Sequence, residues 1–237
     1  MNLSLCLLNW KRKNYVINTV NNMSKFNYIN EILISNGNDE QAVNKNDFIE
    51  SEKIKVYNDS NINNIYGLDR RFINGLRAKN DSVIIMDDDI EISEIELNKL
   101  IEEYIKNENR IVGKWGRNIR NGYNLRDCYG DVDVVLTKLF ICKKKLFNLF
   151  FICKPLIEDI YKTGNPYGNG EDIFFNFISN IYLNNKGFCL NVKGRDLPLH
   201  TQGISSNKGH LDYRKKICCH LIENESKFTT FINNIKI

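Results

Sequence analysis

The sequence predicts one α/β domain with a mixed, mainly parallel sheet flanked by helices, and three observations carry that expectation. Compact apolar runs of strand length alternate with helically spaced apolar residues through the first half of the chain. The run Ser82 to Met86 ends abruptly in three consecutive carboxylates, Asp87, Asp88 and Asp89. A buried strand whose carboxyl end opens into a ligand cleft has that pattern. Finally, 237 residues without a linker-like stretch is the size of one large domain.

The elements follow in order. Leu3 to Leu8 and Ile29 to Ile34 read as strands running into polar turns, and Tyr15, Val16, Val20 and Met23 between them recur at helical spacing. That makes the opening a β-α-β unit with a right-handed crossover. Lys53 to Tyr57 is a third strand, and Ile65 to Ala78 is a helix leading into the strand before Asp87. Beyond it come an amphipathic helix over Ile95 to Ile105, a short strand over Asn109 to Gly113 and a long apolar strand over Val132 to Cys142. The apolar segment Leu146 to Ile152 precedes a loop of turn formers, Lys162 to Gly170, which feeds Glu171 and Asp172 into a helix over Ile173 to Tyr182. The tail from Leu211 to Ile237 reads as mostly helical.

Composition excludes more than it identifies. Thirty-three basic residues against 29 acidic ones leave a net charge of +4, and the basic residues are scattered rather than striped, which gives no argument for a nucleic-acid partner. Seven cysteines, odd in number and without a C-x-x-C pair, fit a reduced compartment and argue against zinc. No window reaches the roughly 18 to 20 apolar residues of a membrane span, and the N-terminus lacks a signal-peptide pattern. The expectation is a cytoplasmic protein with no transmembrane segment.

Two acidic groups could carry chemistry. Asp87 to Asp89 would repel one another at a strand tip unless a cation neutralised them, and a hard divalent metal carrying phosphate oxygens meets that need; the alternative is a polar turn. Glu171 and Asp172 sit where the helix dipole alone favours acids, with Asn169 available as N-cap, or else point into the same cleft. Arg12, Arg70, Arg71 and Arg214 could gather around a polyphosphate, because the guanidinium fork matches phosphate oxygens. His200 and His210 lie in polar stretches. No phosphate-cradling glycine motif and no Ser-His-Asp arrangement is present.

Taken in order, these residues resemble the exostosin-type glycosyltransferases, glycosyltransferase family 64. Leu7-Leu8-Asn9-Trp10-Lys11-Arg12 is similar to that family's strand ending in T-Y-N-R, and Ile32 to Gly37 to its strand followed by an asparagine on the uracil, here Asn36. Arg71 stands at a family arginine, and Met86 to Asp89 matches the D-D-D form of the D-x-D motif. Ile111-Val112-Gly113 with Arg117 resembles I-V-G-F-x-x-R, and Val134 to Phe140 resembles the strand lining the acceptor side. Asn169-Gly170-Glu171-Asp172-Ile173 with Asn176-Phe177 is similar to N-C-E-D-I-x-x-N-F, and Gly203 to Arg214 to a C-terminal segment that folds over the diphosphate. Two departures stand out: Gly170 replaces the family cysteine, and Tyr66 stands where the family has an asparagine near the nucleotide.

The resemblance implies a Rossmann-like GT-A fold, with a nucleotide-binding part over about 1–92 and an acceptor and catalytic part over about 93–237. It implies retaining transfer of an N-acetylhexosamine or related hexose from a UDP-sugar to a glycan hydroxyl, dependent on Mn2+ or Mg2+. Asp89 would coordinate the metal and Asp87 the ribose or a metal water. Arg12, Asn36, Arg71, Asp88, Asn169 and His210 would bind the nucleotide sugar. Glu171, Asp172 and Arg214 would be catalytic, Asp172 steadying the cationic sugar or attacking it, and Arg214 with His210 offsetting charge on departing UDP. An inverting family 2 transferase and an inactive metal-binding module remain as other readings.

Overall fold

The computed structural model describes residues 1–49, 52–58, 61, 65–120, 122–123, 125–161, 170–198 and 207–236. Within them the strands are β1 Leu3–Asn9, β2 Ile29–Asn36, β3 Ile54–Asn58, β4 Ser82–Met86, β5 Ile90–Glu91, β6 Val112–Gly113, β7 Gly116–Arg117, β8 Gly130–Val132, β9 Val134–Val135, β10 Leu139–Lys143, β11 Gly187–Cys189 and β12 Arg195–Asp196. The helices are α1 Lys13–Met23, α2 Arg70–Arg77, α3 Glu94–Lys106, α4 Lys145–Cys153, α5 Glu171–Leu183, α6 His210–Glu223 and α7 Glu225–Asn233.

The main sheet has eight strands in the order β3-β2-β1-β4-β10-β6-β11-β8. Strands β3, β2, β1 and β4 run parallel, β10 lies antiparallel between β4 and β6, and β11 returns parallel to β6. The chain moves outward from β1 to β3 and then crosses back to place β4 on the other side of β1. The carboxyl ends of β1 and β4 therefore form the switch point where open α/β sheets bind ligands. Near-continuous apolar runs form these central strands because both faces are covered, and Leu3, Leu5, Leu7, Val83 and Ile141 are all fully or almost fully buried.

Two sequence expectations need correction. The apolar stretch from Val132 to Cys142 is not one strand: it divides into β8, β9 and β10, and β9 leaves the main sheet to pair with β7. Asp133 and Lys138 interrupt the run at the points where it bends. The expected helix over Ile65 to Ala78 is interrupted: Ile65 and Tyr66 are helical, a tight 3-10 turn follows at Gly67–Asp69 with Gly67 at φ 50°, and α2 continues from Arg70.

A layer of phenylalanines joins the two halves. Phe72 of α2 stacks on Phe175 of α5 at 4.7 Å, and Phe140 of β10 stacks on the other side of Phe175 at 5.5 Å. Phe147 and Phe150 of α4 complete the group. Each ring buries an area that dominates core energetics, and offset stacking adds about 0.5–1.5 kcal/mol per pair. At Gly75 a Cβ would stand 2.3 Å from the Phe147 ring, so only glycine lets α2 approach this layer. The packing fixes the start of α5 relative to the tips of β1 and β4.

Candidate active site

At the carboxyl edge, register aligns three asparagines, Asn9 of β1 opposite Asn36 of β2 and Asn36 opposite Asn58 of β3. They form a side-chain ladder: Asn9 Nδ2 donates to Asn36 Oδ1 at 2.7 Å, and Asn36 Nδ2 donates to Asn58 Oδ1 at 2.8 Å. Asn36 is 2% exposed and its amide also donates to the carbonyls of Asn38 and Gln41. The residue expected on the uracil thus ties the loop after β2 to its neighbours. Asn9 Oδ1 accepts from the Arg12 backbone N–H at 3.2 Å, setting the turn that carries Arg12 toward β4.

Arg12 spans the acidic cluster, with Nη2 at 2.7 Å from Asp88 and Nη1 at 2.6 Å from Asp89. Asp88 is turned inward and buried, and its Oδ2 has no partner. Burial pushes its carboxyl up to about 7 against the pull of Arg12, with Asp87 and Asp89 adding repulsion. Asp88, expected among the nucleotide-sugar ligands, is paired with Arg12. Asp87 meets Arg71 at 3.0 Å, and its carboxyl is also raised, by burial and by Asp89. In the turn after β4, Asp87 and Asp89 are partly open while Asp88 is buried.

Arg71 links this cluster to the second acidic pair. Its Nε lies 3.8 Å from Glu171 Oε1. Glu171 is fully buried, neither carboxylate oxygen has a hydrogen-bond partner, and burial, countered by Arg71 and reinforced by Asp172, pushes its carboxyl up to about 8. Asp172 is held on both oxygens: Oδ1 accepts from the Ile173 N–H at 2.9 Å and Oδ2 from Arg214 Nη2 at 2.7 Å. Asn176, one turn on, donates to the Asp172 carbonyl at 2.8 Å and exchanges two 2.9 Å bonds with the Val135 backbone, locking α5 to β9.

Arg214 lies within α6, buried, its guanidinium over the Tyr123 ring at 4.7 Å. Burial alone would lower its pKa, but Asp172 and Tyr123 raise it on balance. Gly170 permits this arrangement, because a Cβ there would stand 2.2 Å from Ile217 of α6. The family cysteine would require the Ile217 side chain to shift.

The sequence reading is therefore corrected at several points. Of the segment expected to fold over the diphosphate, His210 opens α6 and Arg214 lies within it; positions 203–206 and His200 lie outside the described residues. Asn169 and most of the loop before α5 also lie outside them, and the N-cap of α5 is Gly170. The four arginines do not gather around one empty anion site. Arg12, Arg71 and Arg214 each neutralise acids, and Arg70 packs against Gly37. Tyr123 was missed, since a lone tyrosine between Gly122 and Asn124 carries no periodic signal.

A profile of the glycosyl transferase family 64 domain matches residues 3–231. The chain belongs to that family. It is a glycosyltransferase, and its fold is the GT-A type seen in solved nucleotide-sugar transferases. One is S. aureus TarS residues 1–349 in complex with UDP-GlcNAc, at 14% identity and a TM-score of 0.62, covering 99% of this chain and 72% of that one. Another is the mannosyltransferase PcManGT from Pyrobaculum calidifontis in complex with GDP-Man and Mn2+, at 10% identity and a TM-score of 0.54. That match covers 80% of this chain, which spans about half, 54%, of the mannosyltransferase. No curated protein sequence is significantly similar to this family 64 domain.

No three His, Cys, Asp or Glu side chains converge as a metal cage among the described residues of the domain. The donor set still fits a hard divalent ion, because Mg2+-type sites use one or two carboxylates and take further oxygens from substrate phosphates. Asp87 and Asp89 are the exposed carboxylates of the cluster, and Arg12 already holds a positive charge between Asp88 and Asp89.

Proposed function

We propose that the domain is an exostosin-type transferase that moves an N-acetylhexosamine or related hexose from a UDP-sugar to a glycan hydroxyl with retention, using Mn2+ or Mg2+. The observation that carries this reading is Arg71, which joins Asp87 at the switch point to Glu171 beside Asp172. This link would set a diphosphate at Asp87 and Asp89 and a reacting sugar carbon beside Asp172.

Asp87 and Asp89 would hold the metal, which when bound supplies charge compensation to the nucleotide diphosphate. Arg12 and Arg71 are positioned to exchange their carboxylate partners for phosphate oxygens, as bidentate donors do. Asp172 presents a fixed negative charge where the sugar becomes cationic, or attacks that carbon, and Arg214 keeps its carboxylate oriented through the 2.7 Å contact. Because the pair is buried, its field is far less screened than it would be in water. The seven free thiols support a reducing, cytoplasmic setting.

A donor-hydrolysis screen over UDP-, GDP- and ADP-sugars tests the reading. We expect turnover with a UDP-hexosamine or UDP-hexose that disappears in EDTA. Preference for a GDP- or ADP-sugar, or equal turnover in EDTA, contradicts it.

A further inference from the structure

The domain carries a second cleft, of about 660 Å3, along the carboxyl half of α5. That volume is in the range of small-molecule sites, about 300–1,000 Å3. Asp172 is not in its lining, and Asn180, which is, lies about 12 Å along the helix axis from that acid. It is a different site from the one described above.

Its lining is informative in two ways. First, every charged group in it is already paired: Arg120 meets Glu225 through two bonds of 2.9 and 2.7 Å, Lys186 meets Asp133 at 2.8 Å, and Asp131 meets Arg110 at 2.5 Å. Each charge in the lining already has its counter-charge at hand, so a phosphate, sulfate or uronate would have to displace one. Second, amides and apolar side chains both line it, Asn180, Asn184, Asn185 and Asn233 together with Phe177 and Ile181. The Nδ2 of Asn180 donates to the Asp133 carbonyl at 2.9 Å, while its Oδ1 is buried without a partner. Asn184 is the one non-glycine residue with positive φ, 49°, among the described residues, and this left-handed turn ends α5 at the rim of the cleft. A ligand suited to such a lining is uncharged, rich in hydroxyl donors and acceptors, and apolar on one face.

We propose that this cleft is a second carbohydrate site, binding a neutral oligosaccharide and so anchoring a glycan chain away from the point of transfer. The choice of a saccharide rests on the glycosyltransferase reading; the neutrality rests on the lining itself. Purified full chain is applied to an array of neutral, sulfated and uronate-bearing oligosaccharides, with Asn233→Trp filling the cleft, Thr229→Arg adding an unpaired charge, and Asp172→Asn as a control. We expect retention of neutral oligosaccharides, reduced at least tenfold in both cleft variants and unchanged in Asp172→Asn, with UDP affinity and melting temperature held in the cleft variants. Two cleft variants guard against one that misfolds, which its melting curve would show. Retention of no neutral glycan, preference for acidic ones, or retention unaffected by either cleft variant overturns the proposal. Loss of UDP binding by the wild type would instead overturn the proposed function, leaving the array result to stand alone.

Discussion

The two acidic regions of the site use the same chemistry in opposite ways. At the tip of β4, the Arg12 and Asp89 side chains are 27% and 15% exposed, so their ion pair lies within reach of solvent and ligand. At the start of α5, Asp172 and Arg214 are 5% and 4% exposed and closed in by Tyr123 and Ile217. A partly exposed pair is worth less and is more easily exchanged than a buried one. A buried pair is costly to assemble and costly to break, and it holds its geometry. The difference assigns exchangeable binding to the first region and fixed, preorganised charge to the second.

The largest expected effect comes from breaking the buried pair. Asp172→Asn should lower transfer by about a hundredfold or more while UDP affinity stays within about twofold, because the lost charge acts mainly in the transition state. Removing one partner of a buried ion pair costs about 3–5 kcal/mol, so thermal melting must accompany the kinetics. Wild-type turnover would make Asp172 a helix-start acid and erase the contrast.

Arg12→Gln probes the open region. With its internal cation removed, the Asp87 to Asp89 cluster should bind Mn2+ alone about tenfold more tightly, equivalent to about 1.4 kcal/mol, while UDP with Mn2+ binds more weakly. Calorimetry reads both. Weaker binding of Mn2+ alone would show that Arg12 supports the cluster rather than competing with a metal.

Glu171 sharpens the comparison through pH. Its carboxyl rises from the ordinary 4.5 to about 8 in the folded protein, so the native state binds the extra proton and stability is lost as pH climbs through that window. Glu171→Gln, a neutral isostere, should melt like wild type near pH 4 and roughly 5 °C higher at pH 9. A pH-independent difference would mean that Glu171 is ionised throughout. The smallest effect is expected of Tyr123→Phe, which keeps the ring under Arg214; kcat should fall by no more than about threefold, whereas Tyr123→Ala should lower kcat about tenfold with KM little changed.

The parallel half of the fold was legible because β1, β2 and β4 are buried on both faces and announce themselves as apolar runs. The region from Val132 to Cys142 was not, since periodicity cannot show where an apolar run changes sheets, and β9 is fixed by the amide of Asn176, 41 positions away in sequence. Of the site, Asp87 to Asp89, Glu171 and Asp172 were visible as acids at an element's end. The pairing of each acid with its arginine was not, because Arg12, Arg71 and Arg214 reach their acids from three separate places, the turn after β1, α2 and α6. Tyr123 and the cleft beside Asn180 depend on that packing as well.

The division of labour between the two regions is tested most directly by titrating UDP into wild type, Asp89→Asn and Asp172→Asn, each with Mn2+ and with EDTA. Wild type should bind UDP tightly only with Mn2+, Asp89→Asn should lose that metal-dependent gain, and Asp172→Asn should keep it. If Asp172→Asn weakens UDP binding as much as Asp89→Asn does, or if EDTA changes nothing in the wild type, binding and chemistry are not divided between the tip of β4 and the start of α5.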